Sequence, residues 1–82
     1  MKFNVYSIRD VKTGFLNPTF EVNDAVAMRN FSHAIQQSES VLFTHASDFD
    51  LYRIGEFDSS SGRIEPVDVP VFVSAGKDVL KA

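Results

Sequence analysis

The side chains that could do acid–base or metal chemistry in this 82-residue chain are two histidines and eleven acidic residues. His45 lies in a short polar segment with Asp48 and Asp50, and an imidazole with two carboxylates could hold a metal ion. A capped turn, in which Ser47 or Asp48 accepts hydrogen bonds from backbone amides, explains the same residues. Because this segment has a single histidine, the sequence favours the turn and predicts no metal site.

Nucleophilic and phosphate-binding chemistry leaves no pattern in the sequence. The serines do not fall in a G-x-S-x-G nucleophile elbow, and Ser59–Ser61 are typical of a loop tip. The glycines form neither a P-loop nor a G-x-G-x-x-G motif. A chain this short cannot enclose a deep pocket and also keep a core, so we expect neither an enzyme nor a cofactor.

Aromatic rings set among cations are the remaining candidates for chemistry, because such rings stack on single-stranded bases. Tyr6 lies between Lys2 and Arg9, and its hydroxyl group would let the ring stay half exposed. The alternative is that the rings fill a small core, which is the usual fate of Phe. The predicted nucleic-acid-binding residues are Lys2, Tyr6, Arg9, Lys12 and Arg29.

The composition limits the class of protein. The net charge of −3 disfavours tight, purely electrostatic binding to nucleic acid. In residues 1–41 four cations balance four acids, so the net charge of −3 lies in residues 42–82. A surface that attracts anions is therefore expected in the N-terminal half. The lack of cysteine excludes disulfide bonds and thiolate zinc sites and suits a reducing cytoplasm. No apolar run is long enough to span a membrane and the first ten residues show no signal-peptide pattern, so no membrane partner is expected.

Periodicity predicts the strands that must position these residues. Lys2–Arg9 and Asp50–Phe57 have apolar residues on both faces, and Gly55 marks a bulge or a close approach of two backbones. Asp58–Gly62 is a predicted hairpin loop, after which Arg63–Glu65 returns as the second arm. The main strands are therefore expected to be antiparallel.

A single helix is predicted. Asn23 caps it, and it runs to about Gln37 with His33 on its polar side. The segment Val41–Phe43 that follows is a short strand or a buried connection. The expected core-facing stripe of the helix consists of Ala27, Met28, Phe31, Ala34 and Ile35.

The last part of the chain predicts an edge strand, because Pro66 and Pro70 bracket alternating valines. The order of elements indicates an α+β fold: a small antiparallel sheet of about four strands with one helix packed on one face. We expect one domain over residues 1–74 and a frayed C-terminal tail over residues 75–82.

The segment Phe15–Val22 is too apolar for a loop, and Pro18 excludes a helix. It predicts an extended arm laid across the core or a partner. Because a small chain without disulfides has a small core, we expect a homodimer or larger oligomer. The predicted interface residues are Phe15, Leu16, Phe20, Val22, Val69 and Val71.

A set of motifs is more specific than these patterns. The chain begins MKFNVYSIRD, and NDAVAMRNF opens the predicted helix. A longer block follows, comprising His45, Asp48-Phe49, Leu51-Tyr52, Ile54-Gly55, Phe57-Asp58 and Gly62-x-Ile64. Over residues 1–74 the chain resembles the small non-structural protein of gokushoviruses, the Microviridae phages with single-stranded DNA genomes. Phe49, Ala46 and Ser61 depart from that pattern, in which Tyr, Pro and Thr are common.

This resemblance implies a protein made in the cytoplasm of the infected bacterium and absent from the virion. It implies binding of single-stranded DNA during the switch from double-stranded replication to single-stranded genome synthesis and packaging, without catalytic residues. The expected partners are single-stranded DNA, further copies of the chain, and phage replication or procapsid proteins. The alternative is an oligomeric protein–protein adaptor or packaging scaffold that does not contact DNA.

Overall fold

Strands and helices fill most of residues 1–37 and 39–79, the part of the chain described by a computed structural model. The strands are β1 (Lys2–Asp10), β2 (Gly14–Phe15), β3 (Thr19–Glu21), β4 (Phe49–Asp58) and β5 (Arg63–Ala75). The helices are α1 (Asp24–Ile35), α2 (Val41–Thr44) and α3 (Gly76–Val79), and a 3-10 turn, Ala46–Asp48, precedes β4. The predicted α+β class is confirmed.

The strands form one curled antiparallel sheet in the order β2–β1–β4–β5, and β3 also pairs with β1. Both β2 and β3 add to the same edge, because Arg9 pairs with Phe15 while Val5 pairs with Phe20. The predicted extended arm is therefore an edge strand that is interrupted around Pro18 and pairs with β1, so it does not lie across the core. The alternative, that it lies across a partner, stays a prediction. Proline has no backbone N–H to donate, which explains the interruption.

The main core lies between α1 and one face of the sheet. Tyr6, Phe49 and Leu51 of the sheet pack against Phe31 and Ile35 of α1. These strand residues alternate with side chains on the other face, so β1 and β4 are apolar on both sides. Within the described residues, no helix is long and apolar enough to cross a membrane.

Helix α1 begins as the sequence predicts. The side-chain oxygen of Asn23 accepts a hydrogen bond from the backbone N–H of Val26 at 2.9 Å. Ala27, Phe31 and Ile35 are buried, but Met28 is 42% exposed, so its place in the predicted stripe is wrong. Met28 borders a cleft between α1 and α3, because α3 is a single turn and does not cover it.

The segment predicted as a short strand or a buried connection is the helical turn α2. The hydroxyl oxygen of Ser40 accepts from the backbone N–H of Leu42 at 3.0 Å and caps this turn. Leu42 packs against the core, whereas Val41 is exposed.

Strand β5 is longer than expected, because the predicted second strand of the hairpin, Arg63–Glu65, and the predicted edge strand with alternating valines form one continuous strand. Its edge position is as predicted, and its pairing with β4 shifts register between Leu51 and Tyr52 and again between Arg53 and Gly55. A Cβ at Gly55 would lie 2.6 Å from the carbonyl oxygen of Glu65, so the expected close approach is confirmed.

The hairpin between β4 and β5 follows its sequence signals. Gly62 has a φ of 76°, in the left-handed region that favours glycine. The backbone N–H of Ser60 donates to Asp58 Oδ1 at 2.9 Å, and this bond lowers the pKa of the Asp58 carboxyl.

The frayed tail expected from Ala75 onward is not observed in residues 75–79. Ala75 ends β5 and is buried, Gly76 opens α3 and is buried, and Val79 packs against the core. Since α3 covers the open end of the core beside α1, these residues belong to the domain. Residues 80–82, the rest of the predicted tail, lie outside the described residues.

Candidate nucleic-acid interface

Tyr6, the predicted base-stacking residue, is fully buried with 0% of its surface exposed. Its hydroxyl group donates to Asp24 Oδ1 at 2.5 Å and accepts from Asn4 Nδ2 at 2.9 Å. Arg53 Nε lies 3.9 Å from the same Asp24 oxygen. Tyr6 therefore ties the first turn of α1 to the sheet, and the expectation of a half-exposed ring is wrong. Burial and the Asp24 hydrogen bond raise the pKa of Tyr6 to about 12.

The predicted cations are not gathered on one surface. Lys2 lies opposite Asp58 at the hairpin end of the sheet, while Arg9 lies opposite Asp50 at the other end. Lys12 is near Arg9, in the turn after β1, where its backbone N–H donates to Asp10 Oδ1. Arg29 is exposed on α1. Of the five predicted residues, the fold brings only Arg9 and Lys12 to the same end of the sheet.

The sheet face opposite α1, here called the open face, carries aromatic side chains. It receives side chains from β1 through Phe3, Val5, Ser7 and Arg9, which alternate with the core-facing residues. Residues paired across the strands lie side by side on it. Its four rows are Phe3–Phe57–Ile64, Phe20–Val5–Gly55–Pro66, Ser7–Tyr52–Phe72 and Phe15–Arg9–Asp50.

Three of these rings line a cleft at the hairpin end of the open face. Phe57 lies 5.4 Å from Phe20 and 6.5 Å from Phe3 between ring centroids. The cleft has a volume of about 300 Å³ and is lined by these three phenylalanines. It is apolar and open to solvent.

Three further rings form a line across the sheet, here called the ring row. Tyr52 lies at its centre, 5.6 Å from Phe15 and 5.9 Å from Phe72, with both neighbours edge-on to it. Phe15 is 48% exposed and Phe72 is 55% exposed, so both present ring surface to solvent. Arg9 lies beside Phe15 in the strand pairing. Exposed rings beside a cation are the types of side chain on which single-stranded bases can stack.

Sequence reasoning missed Phe3, Tyr52, Phe57 and Phe72 as surface residues. The available signal was the apolar character of β1 and β4 on both faces, in a chain with one long helix to cover them. Each of the six predicted interface residues is at least 40% exposed. Phe15 and Phe20 lie on the open face, but Val71 pairs with Arg53 and lies on the side of α1.

The histidines take part in local hydrogen bonds. His45 Nδ1 is 2.9 Å from the hydroxyl oxygen of Thr44, and His33 Nε2 is 3.2 Å from Gln37 Nε2. His33 is exposed on α1, as its position in the helix predicts. In residues 1–37 and 39–79 no three His, Asp or Glu side chains are grouped closely enough to hold a metal ion.

Comparison with known proteins decides the family. The sequence model of the Phage ORF5 protein family matches residues 3–79, which is nearly the whole chain. The chain belongs to the Phage ORF5 protein family. This Phage ORF5 family member is therefore a phage protein. No curated protein and no solved structure matches it significantly.

Proposed function

We propose that this Phage ORF5 family member binds single-stranded DNA through the ring row of the open face. The observation that carries the proposal is the line Phe15–Tyr52–Phe72 with Arg9 beside it. Stacking on aromatic rings tolerates any sequence, because every base has a π-face. The site differs from the sequence prediction, since Tyr52 and the two phenylalanines replace Tyr6.

The gokushovirus resemblance supports the same proposal. Its most distinctive motifs form the hairpin of β4 and β5, which supplies Tyr52, Phe57 and Ile64 to the open face. We infer a non-structural role in the host cytoplasm, in the switch from double-stranded replication to single-stranded genome synthesis and packaging. The proposed contacts need no catalytic residue and no cofactor.

The small number of cations predicts the kind of binding. Arg9 is the cation within the four rows of the open face, and Lys12 lies in the adjacent turn. Two phosphate contacts give a shallow dependence of affinity on salt, with a slope of about −0.7 for each contact. We therefore expect modest affinity in which stacking contributes more than phosphate contacts.

Fluorescence anisotropy of a labelled oligo-dT tests the proposal at low ionic strength. Phe72→Ala is expected to weaken binding by ~1–3 kcal/mol with the salt slope unchanged, because it removes a stacking ring. Arg9→Gln is expected to lower the slope by about 0.7, because it removes a phosphate contact. Met28→Ala and Arg29→Gln are matched controls on the helix side, and both should bind as wild type does.

Tyrosine emission gives a second readout, because the chain has two tyrosines and no tryptophan. Tyr52 is in the ring row, whereas Tyr6 is buried, so stacking on DNA is expected to quench Tyr52. The Tyr6→Phe variant should keep the quenching and Tyr52→Phe should lose it. A folded wild-type protein that neither shifts the anisotropy nor loses emission at low salt contradicts the proposal.

The adaptor hypothesis is favoured by one observation. The hairpin end of the open face, with Phe3, Phe20, Phe57 and Ile64, has apolar side chains and no cation in its rows. Such a surface suits a protein partner better than a polyanion. Failure of the DNA experiments would leave this function as the stronger candidate.

A further inference from the structure

The sheet has two apolar faces and α1 covers one of them. Layered domains bury each apolar sheet face against another layer. On the open face Phe15, Phe20, Ile64 and Phe72 remain between 45% and 59% exposed. Contiguous apolar surface of this kind marks an interaction site in a soluble protein.

The open face has the size of a protein interface. Strand β4 has ten residues, and with four strands abreast the sheet presents a flat area of roughly 600 Å² at ~3.3 Å per residue and ~4.8 Å per strand. Its projecting side chains make the accessible area larger. A specific interface of standard size takes ~800 Å² from each partner.

Charge indicates what covers this face. Its four rows contain one cation, Arg9, and one anion, Asp50, which lie opposite each other on β1 and β4. A second copy related by a twofold axis meets this face with no uncompensated charge, because each copy brings the same balanced pair. A second protein of strong net charge of either sign would find no such match.

The two edges of the sheet are poorer sites for a second copy. The edge formed by β2 and β3 is interrupted around Pro18. Strand β5 forms the other edge, and Pro66 and Pro70 deprive it of two backbone donors. The two register shifts also make its pairing irregular. Face-to-face packing is therefore favoured over extension of the sheet.

We propose that a second copy of this chain packs on the open face and gives a dimer with the layer order helix, sheet, sheet, helix. The two sheets would pack about 10 Å apart with their phenylalanines interdigitated, as in a β-sandwich. One consequence rests on the proposed function: the same rings cannot contact DNA and the second copy at the same time. Single-stranded DNA therefore competes with dimer formation.

Analytical ultracentrifugation of the full chain tests the dimer. We expect a species of twice the 9.2 kDa monomer. Ile64→Asp places a carboxylate on the open face and should raise the dimer dissociation constant at least ~10-fold, because each copy would bury an unpaired charge. Val41→Asp is the matched control: Val41 is 60% exposed, Ile64 is 59% exposed, and Val41 lies on α2 away from the open face.

A second variant guards against misfolding of the first. Phe72→Asp changes an exposed ring in another row of the open face and should have the same effect as Ile64→Asp. Circular dichroism must show that both variants fold.

The competition with DNA has its own measurement. Wild-type protein with a six-nucleotide oligo-dT should sediment as a complex containing one copy of the chain.

The outcomes separate this inference from the proposed function. A wild-type protein that stays monomeric at ~100 μM overturns the dimer whether or not it binds DNA. A dimer that Ile64→Asp and Phe72→Asp leave intact also overturns it, because the interface then lies elsewhere. A dimer that binds no DNA supports the covered face and contradicts the proposed function, and a DNA complex that keeps two copies refutes the competition.

Discussion

At the scale of single residues, Tyr6 shows how hydrogen bonding decides the role of a side chain. Its hydroxyl group is held by Asp24 and Asn4, so the ring that lies between two cations in the sequence is part of the core. Tyr6→Phe should lower the free energy of unfolding at neutral pH by ~1–3 kcal/mol, because it removes a hydrogen bond to a charged group. Urea unfolding measures this change.

The pKa of Tyr6 adds a pH dependence to that prediction. Burial and the Asp24 hydrogen bond raise the pKa from 10.0 to about 12 in the folded protein. The stabilisation is complete below pH 10 and decreases as the pH rises toward 12, because Tyr6 loses its proton at a lower pH in the unfolded chain than in the folded protein. Wild type and Tyr6→Phe should therefore converge in stability over this range. A constant difference between them would contradict the assignment.

The stripe of α1 gives a second residue-scale prediction. Phe31 is buried against the sheet, and Phe31→Ala should cost ~3–5 kcal/mol, as deletion of a core ring does. His33 is exposed on the other side of the helix, so His33→Ala should stay within ~0.5 kcal/mol. Equal losses of unfolding free energy for the two variants in urea melts would mean that the helix packs with another face toward the sheet.

At the scale of elements, α3 depends on a close approach at Gly76. A Cβ there would meet the carbonyl oxygens of Ala46, in the 3-10 turn, and of Phe49, the first residue of β4. Gly76→Ala should destabilise the protein by ~1–3 kcal/mol, because backbone atoms cannot yield as a flexible side chain can. Lys77→Ala changes an exposed neighbour and should leave the melting temperature unchanged. Tolerance of Gly76→Ala would show that α3 is not docked.

At the scale of the whole molecule, the proposed dimer links stability to concentration. A partner that binds only the folded chain stabilises it by mass action. The melting temperature of the wild type should therefore rise with protein concentration, and that of Ile64→Asp should rise less over the same range. Calorimetry over a range of concentrations measures both, and a wild-type midpoint that never moves contradicts the dimer.

The sequence by itself determined the local elements, because their signals lie within a few residues. Asn23 marks the start of α1, Gly62 supplies the left-handed residue of the hairpin, and the prolines of β5 predict an edge strand. The alternation in β1 and β4 likewise showed two apolar faces. Fold class follows from such patterns, since each depends on backbone geometry over short distances.

Only the tertiary structure decided which face is covered. Alternation places Tyr6 and Phe3 on opposite sides of β1 without saying which side receives the helix. That choice depends on contacts between distant segments. For example, Asp24 accepts a hydrogen bond from the hydroxyl group of Tyr6, which lies eighteen positions away in the chain. The ring row likewise joins Phe15, Tyr52 and Phe72 from three strands. Sequence spacing cannot place such residues side by side, because strand pairing and register bring them together.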